Sequence, residues 1–250
     1  MSSDIDPGRT VITQVALHVI VRGLEMALTP HELDELELYD LEEVERPPGY
    51  TDMKNMIGKF PVLTRRGYHH VWVASALEAD HYLELVWAGV EELNTQCLEI
   101  RAELSDGSVR VRRPDALTRL DGTTAVIDIT SENGLDEGKA ASFDLTADVC
   151  ASIGWGYLVG SDKTLSRTRR ANLNYLTSVE DIDIEPPGID PGRTVRDLAA
   201  AYGGGSQGRM LAHAALWRQH YWINMERPLE DTSKLVRRAP AAVLFPWEPV

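Results

Sequence analysis

The stretch Arg112–Glu132, RRPDALTRLDGTTAVIDITSE, determines the predicted fold of this chain. In it, Asp121-Gly122 lies directly before a β-branched run that begins at Thr123. An Asp-Gly pair in this setting predicts a two-residue β-hairpin, because a type I′ turn needs positive φ at both central residues. The two strands of this hairpin carry Asp115 and Asp128 toward a common end of a sheet.

Two carboxylates at one end of a sheet repel each other, and each raises the pKa of the other unless a cation lies between them. Such oxygen ligands suit a hard divalent cation, and Mg²⁺ typically uses one or two carboxylates together with water and substrate phosphate. Asp115 and Asp128 therefore predict a Mg²⁺ (or Mn²⁺) site. The structural alternative is that Asp115 caps the turn after Pro114 and that Asp128 ends its strand.

Periodicity on both sides of the hairpin predicts the order helix, three strands, helix, strand. Residues 76–93 have apolar positions at helical spacing, and residues 137–152 repeat this pattern. Residues 98–104 alternate between apolar and polar positions, and a Ser-Asp-Gly-Ser turn leads from them into 109–112. Residues 109–112 lead into the first strand of the hairpin, so that a three-stranded meander is predicted, and residues 156–159 are the last predicted strand.

This order of elements, with its acidic residues, resembles the PD-(D/E)XK nuclease superfamily. The more specific resemblance is to the TnsA-like endonuclease subunit of heteromeric transposases. It covers about residues 68–160 and rests on Ser75-Ala76-Leu77-Glu78, on Gln96, on Arg113-Pro114-Asp115 and on Val126-Ile127-Asp128-Ile129-Thr130. The implied fold is α/β, with a restriction-endonuclease-like core of helix, three-stranded meander, helix and strand.

The resemblance also implies a function. Glu78 would join Asp115 and Asp128 as a catalytic and metal-binding residue, whereas Glu84 is expected to be solvated. The chain would be a DNA endonuclease subunit that hydrolyses phosphodiester bonds at the ends of a mobile element. Its implied partners are DNA, a transposase subunit and an AAA+ ATPase. The alternative for Glu78 is that an acid in the first turn of a helix only complements the helix dipole.

One position departs from the family pattern, because Thr130 stands where the motif has lysine. That lysine normally orients the attacking water and offsets charge in the transition state. Three outcomes are open: an inactive enzyme, a lysine that acts from another position, or a second metal or water in its place. Lys139 is the candidate catalytic lysine, because it shares a helical face with Phe143 and Cys150 and that face turns toward the sheet. The alternative is that its ammonium extends into solvent.

The composition limits these hypotheses. The chain has 250 residues, with 39 Asp and Glu against 25 Lys and Arg, and a formal net charge of −14. Nucleic-acid binders usually display basic patches, so this balance keeps two other hypotheses open. One is a catalytically inactive nuclease-fold scaffold that binds DNA or protein, and the other is an acidic structural adaptor. Two cysteines without a CxxC spacing, and no apolar run of 18 residues, predict a cytoplasmic protein with no membrane association.

The densest basic cluster follows the last predicted strand. The predicted DNA-contacting residues are the members of this cluster together with the arginine of the Arg-Pro-Asp motif: Arg113, Lys163, Arg167, Arg169 and Arg170. An ordinary solvated helix start is the alternative for the cluster.

The chain divides into four predicted segments. Residues 1–67 form an N-terminal extension with an acidic helix at 31–45, and residues 68–178 form the nuclease-like core. Residues 179–193, which are rich in proline and acids, form a linker. Residues 194–250 form a small, mainly helical module and tail, for which a winged-helix-like arrangement with a wing at 227–238 is one form.

Overall fold

A computed structural model describes residues 11–44 and 58–236. Within them the chain is a mixed α/β protein with three sheets and six α-helices. The strands are β1 (Ile12–Val21), β2 (Leu24–Leu28), β3 (Leu41–Glu42), β4 (Gly58–Thr64), β5 (Gly67–Val73), β6 (Glu92–Thr95), β7 (Glu99–Leu104), β8 (Val109–Arg112), β9 (Ala116–Leu120), β10 (Thr123–Thr130) and β11 (Gly156–Ser161). The helices are α1 (Pro30–Asp34), α2 (Ala76–Ala88), α3 (Glu137–Ile153), α4 (Arg167–Leu176), α5 (Val195–Ala201) and α6 (Gly205–Trp217). Within the same two ranges, no helix has the length and apolar character needed to cross a membrane.

The predicted hairpin is confirmed. β9 and β10 pair antiparallel, with Leu120 opposite Thr123. Asp121 and Gly122 form the turn between them at φ values of 49° and 75°. Both values are positive, as a type I′ turn requires, and glycine adopts such a φ without steric cost.

The hairpin lies at the centre of a four-stranded sheet with the order β11-β10-β9-β6. β6, β9 and β10 are antiparallel neighbours, and α3 crosses over to β11, which runs parallel to β10. Thr130 pairs with Ser161, so β10 and β11 end at the same edge of the sheet. Ala116 pairs with Ile127, which puts Asp115 at the start of β9 at this edge too.

The predicted three-stranded meander forms, but from different strands. β7 and β8 pair with each other as predicted, yet they belong to a second sheet with the order β2-β1-β7-β8, in which β3 pairs with β1. The meander that follows α2 consists of β6, β9 and β10 instead. The prediction of its members is wrong because alternating polarity identifies a strand without identifying the strand with which it pairs.

The helix predicted for residues 76–93 is shorter than expected. α2 ends at Ala88, and Gly89 caps it in the left-handed conformation, with φ 86° and ψ 37°. Glycine is the residue most often found at this kind of C-cap. The apolar pattern continues past Gly89 because β6 follows at once and buries Leu93 in the same core as α2.

The acidic helix predicted for residues 31–45 is wrong in its described part. Only the short α1, a 3₁₀ turn at residues 38–40 and β3 form there. Leu33 is fully buried, and the guanidinium of Arg119 donates to its carbonyl at 3.1 Å. Glu92, which is also fully buried, accepts a hydrogen bond from the backbone N–H that begins the 3₁₀ turn. The segment is therefore anchored in the protein interior.

Strand pairing crosses the predicted boundary between residues 67 and 68. This boundary falls within β5, which pairs with β4, and β1 from the predicted extension pairs with β7 of the predicted core. A 3₁₀ turn at Thr177–Val179 extends into the first residue of the predicted linker. The isoleucines of this linker, at 182, 184 and 189, pack against the core.

The C-terminal part, predicted to be mainly helical, contains α5 and α6, which pack against each other. The predicted wing is wrong over its described part, because residues 218–236 form only isolated bridges, Thr194 with Lys234 and Trp222 with Val236. The last part of the predicted wing and the predicted tail, at 237–250, lie outside the described residues, as do residues 1–10 and 45–57.

Candidate active site

The candidate site lies at the edge of the four-stranded sheet where β10 and β11 end. Asp128 comes from β10 and Asp115 from the residue before β9, whereas Glu78 and Lys139 lie in the first turns of α2 and α3. The charges of Asp128, Glu78 and Lys139 all influence the pKa of Asp115. The other three predicted catalytic residues thus lie close enough for their charges to act on Asp115.

Lys139 extends its ammonium to Thr130. Nζ donates to Thr130 Oγ1 at 2.8 Å, and it also lies 5.7 Å from the centroid of the Phe143 ring. The side chain thus faces the sheet, as its helical spacing indicates. Burial raises the pKa of Glu78 and of Asp115, and the positive charge of Lys139 acts against both shifts.

Asp128 is held by two residues that the sequence did not reveal. Its Oδ2 accepts a hydrogen bond from Arg112 Nη2 at 2.8 Å and another from the Tyr157 hydroxyl at 2.7 Å. Arg112 ends a strand of the other sheet, and Tyr157 reads as an ordinary core residue of β11. The pairing of β10 with β11 puts Tyr157 opposite Val126, which is two residues before Asp128 on the same strand. Knowledge of this pairing would be needed to find Tyr157 from the sequence.

Asp115 lies beside Asp128, and among the described residues its carboxylate accepts a hydrogen bond from a backbone amide and not from a cation. Its Oδ2 accepts the backbone N–H of Ile129 at 2.6 Å. Burial, and after it the charge of Asp128, raises the pKa of Asp115 to about 7, although the hydrogen bond from Ile129 acts in the other direction. A buried acid whose pKa is raised by burial and by a neighbouring acid is typical of catalytic sites.

Glu78 has a structural role whatever its chemistry. Its Oε2 accepts the backbone N–H of Ala74 at 2.8 Å, and its Oε1 accepts the hydroxyl of Ser75 at 3.1 Å. Ser75 accepts the N–H of Glu78 in return, at 3.1 Å, so the two residues cap α2 reciprocally. Glu78 therefore takes part in the N-terminal cap of α2, and its charge also acts on Asp115.

The acids suit a divalent cation in their chemistry. Within the two described ranges, no group of three or more His, Cys, Asp or Glu side chains is arranged to hold a metal ion. Mg²⁺ needs only one or two carboxylates, because water and phosphate oxygens complete its shell. Asp115 and Asp128 each accept the hydrogen bonds above at Oδ2, which leaves Oδ1 of each as the oxygen to bind a cation. The raised pKa of Asp115 also fits a site that a cation would stabilise.

The site has to be interpreted from its geometry. No family model matches the chain, and no curated protein matches it. The resemblance to TnsA-like nucleases therefore rests on the motif residues of the sequence.

The predicted DNA-contacting residues fall into two groups, and Arg169 stands apart. It is 9% exposed, and its Nε donates to Oε2 of the fully buried Glu84 at 2.9 Å. Its guanidinium carbon also lies 5.3 Å from the centroid of a Trp87 ring. A DNA backbone cannot contact a guanidinium enclosed in this way, so the prediction is corrected: Arg169 is a structural residue. Glu84, which was expected to be solvated, is its buried partner.

The remaining basic residues of the set are accessible. Lys163 is exposed in the loop after β11, and Arg167 is exposed at the start of α4. Arg170 is 30% exposed and lies 3.4 Å from a carboxylate oxygen of Asp80. Arg113 is 46% exposed, and its Nε donates to Glu99 at 2.8 Å. Lys163 and Arg167 follow β11 in the chain, and β11 ends at the edge that carries the acids.

Asp115→Asn should stabilise the protein more at pH 8 than at pH 5.5. The pKa of Asp115 is raised to about 7 in the folded chain from an ordinary value of 3.8, so the folded state retains the proton in this interval. Because the unfolded chain has already lost this proton, the free-energy cost of folding grows with pH up to the folded pKa of about 7. The neutral amide of asparagine avoids this cost. We expect the gain in free energy of unfolding, measured by urea denaturation, to grow by about 2 kcal/mol between the two pH values.

Asp121→Asn is the matched control for this measurement. It makes the same change in the same hairpin, on a side chain that is 72% exposed. Its effect should be nearly independent of pH. An equal gain for Asp115→Asn at both pH values would show that burial does not raise the pKa of Asp115.

Proposed function

We propose that this protein is a metal-dependent DNA endonuclease subunit of a TnsA-like transposition system, which hydrolyses phosphodiester bonds at element ends. The observation that carries the proposal is the contact of Lys139 Nζ with Thr130 Oγ1 at 2.8 Å, beside three coupled acids. This contact puts an ammonium next to the residue that stands in place of the lysine of the family motif. Acids and a cation gathered in partly buried surroundings are characteristic of catalytic sites.

The order of elements around the site supports a PD-(D/E)XK core. α2 is followed by the antiparallel meander of β6, β9 and β10, then by α3 and the parallel strand β11. β7 and β8 form an insertion within this order and belong to the second sheet. In this proposal the motif residues lie on a helix, a meander, a helix and a strand, in the same order as in the family.

Each residue of the group has a role in the proposed reaction. Asp115 and Asp128 would hold Mg²⁺ or Mn²⁺, with Glu78 as the third acid of the group. When bound, the divalent cation supplies a Lewis acid that lowers the pKa of a bound water and offsets phosphate charge. Lys139, held by Thr130, stabilises negative charge that develops on the phosphate oxygens in the transition state.

The exposed basic residues near this edge support DNA as the substrate. Lys163 and Arg167 follow the strand β11 that ends at this edge, and Arg113 lies two residues before Asp115. Local cations at the reactive edge allow a chain of net charge −14 to contact a DNA backbone. A transposase subunit, an AAA+ ATPase and a cytoplasmic location belong to the same proposal.

A catalytically inactive scaffold is the second candidate function. It is favoured by the hydrogen bonds of the acids, since Asp128 is engaged by Arg112 and Tyr157 and Glu78 is engaged in the cap of α2. In that case the nuclease fold would bind DNA or a protein partner without cutting. An assay of DNA nicking separates the two functions.

Nicking of supercoiled plasmid DNA tests the proposal. The wild-type chain, alone and with the proteins encoded beside it, should nick DNA with Mg²⁺ or Mn²⁺ and stop when the metal is chelated. Asp128→Asn should remove this activity, whereas the exposed Asp106→Asn should retain it. Salt-dependent DNA binding without nicking, under every one of these conditions, would favour the scaffold and overturn the enzyme.

A further inference from the structure

Two side chains outside the catalytic group hold the Asp128 carboxylate. Arg112 Nη2 donates to Oδ2 at 2.8 Å, and the Tyr157 hydroxyl donates to the same oxygen at 2.7 Å. Asp128 is 3% exposed and Tyr157 is 7% exposed, so little water can compete for these bonds. Oδ1 accepts neither of them.

Arg112 is itself held in place. Its Nε donates to Thr146 Oγ1 at 3.1 Å, and its guanidinium carbon lies 5.7 Å from the centroid of the Phe143 ring. Thr146 in turn donates to the carbonyl of Ser142 at 3.0 Å. Because these three residues lie on α3, the guanidinium is fixed by the helix that also carries Lys139. A guanidinium with a partner at Nε, a second at Nη2 and a ring against it has little rotational freedom.

We propose that Arg112 and Tyr157 are positioning residues that fix Asp128 so that it presents Oδ1 alone to a divalent cation. The inference rests on the proposed function. A carboxylate with two donors on one oxygen cannot turn to offer both oxygens to a metal. Mg²⁺ demands nearly ideal octahedral geometry, which single oxygens from separate carboxylates satisfy better than a chelating pair. Hydrogen-bond partners that orient a metal ligand commonly change metal affinity by about 10- to 100-fold.

The structural alternative is that Arg112 and Asp128 only form a buried ion pair that joins the two sheets. Both roles predict a loss of stability when the ion pair is broken. They differ for the Tyr157 hydroxyl, whose removal leaves the ion pair and the aromatic ring in place. A positioning role predicts weaker metal binding after that change, and a purely structural role does not.

Tyr157→Phe tests the inference through binding of Mn²⁺ to the full chain, measured by the electron paramagnetic resonance signal of free Mn²⁺. We expect the dissociation constant to rise by about 10-fold or more. The Mn²⁺ concentration that gives half-maximal nicking should rise in parallel, while the nicking rate at saturating Mn²⁺ stays within about threefold of wild type. The matched control is Tyr175→Phe, which removes the hydroxyl of a 51% exposed tyrosine and should change neither quantity.

Arg112→Lys is the second variant, and it decides the question if Tyr157→Phe does not fold. It keeps the charge but loses the planar fork that contacts both Asp128 and Thr146, so Mn²⁺ binding should again weaken. Arg110→Lys, on the exposed part of the same strand, is its control.

The outcomes separate the inference from the proposed function. Folded variants with unchanged Mn²⁺ affinity would overturn the positioning role, while the proposed function would stand as long as wild type nicks DNA. A wild type that neither binds Mn²⁺ nor nicks would overturn both.

Discussion

Lys139→Ala should lower the rate of metal-dependent nicking by about 10²- to 10³-fold, while DNA affinity stays within about threefold of wild type. The ammonium of Lys139 is held at the site by the Thr130 hydroxyl at 2.8 Å, where negative charge would develop on the phosphate. An interaction that strengthens in the transition state contributes to the rate constant and little to ground-state binding. Single-turnover nicking at saturating metal, together with a separate DNA-binding titration, measures the two effects independently.

The double variant Thr130→Lys/Lys139→Ala provides the matched rescue. Thr130 is two residues past Asp128, so both side chains leave β10 on the same face. The substitution Thr130→Lys restores the family motif. It introduces an ammonium group at the residue whose hydroxyl Lys139 Nζ contacts. We expect the double variant to cut at least about tenfold faster than Lys139→Ala alone, as a relocated transition-state cation should.

Lys163→Ala is the control for a general loss of positive charge. Lys163 is exposed after β11, so its removal should weaken DNA binding and its salt dependence without changing the rate at saturation. A wild type that cuts DNA and is unaffected by Lys139→Ala would exclude a catalytic role for this lysine. The Thr130 contact would then be a structural pairing of α3 with β10.

The parts of the fold that the sequence predicts are those governed by local signals. The Asp121-Gly122 turn follows from backbone conformations that few residue pairs adopt, and α3 and β11 follow from side-chain periodicity. The approach of Lys139 to the sheet follows from helical spacing in the same way. These signals depend on residues that are close in sequence, so one amino-acid sequence is enough to detect them.

The parts that the sequence does not predict depend on partners distant in the chain. Alternation of apolar and polar residues identifies β7 but does not indicate that β1 lies beside it. The two strands are more than 80 residues apart in the chain, as the pairing of Gln14 with Glu103 shows. Similarly, nothing near Asp128 indicates that an arginine from the second sheet contacts it. Unpaired charges rarely occur in a core, so the sequence predicts that Glu84 lies in solvent, whereas its ion pair with Arg169 allows it to be buried.

Arg169→Ala should lower the free energy of unfolding by about 3–5 kcal/mol. Glu84 is fully buried, and Arg169 meets it with hydrogen bonds from Nε and Nη2. Without the guanidinium the carboxylate is left uncompensated inside the protein, and the contact with the Trp87 ring is lost as well. Since burial already raises the pKa of Glu84, the loss should be smaller at low pH, where the carboxyl group takes up a proton. Urea denaturation at pH 5.5 and pH 8 measures both effects.

Arg167→Ala is the matched control, because Arg167 lies on the same helix and is exposed. It should change stability by no more than about 0.5 kcal/mol and should weaken DNA binding with a shallower salt dependence. The double variant Arg169→Met/Glu84→Leu should be more stable than Arg169→Ala, because apolar side chains of similar volume replace the ion pair without leaving a buried charge. An Arg169→Ala variant that keeps its stability but loses DNA affinity would instead return Arg169 to the DNA-contacting residues and contradict its burial against Glu84.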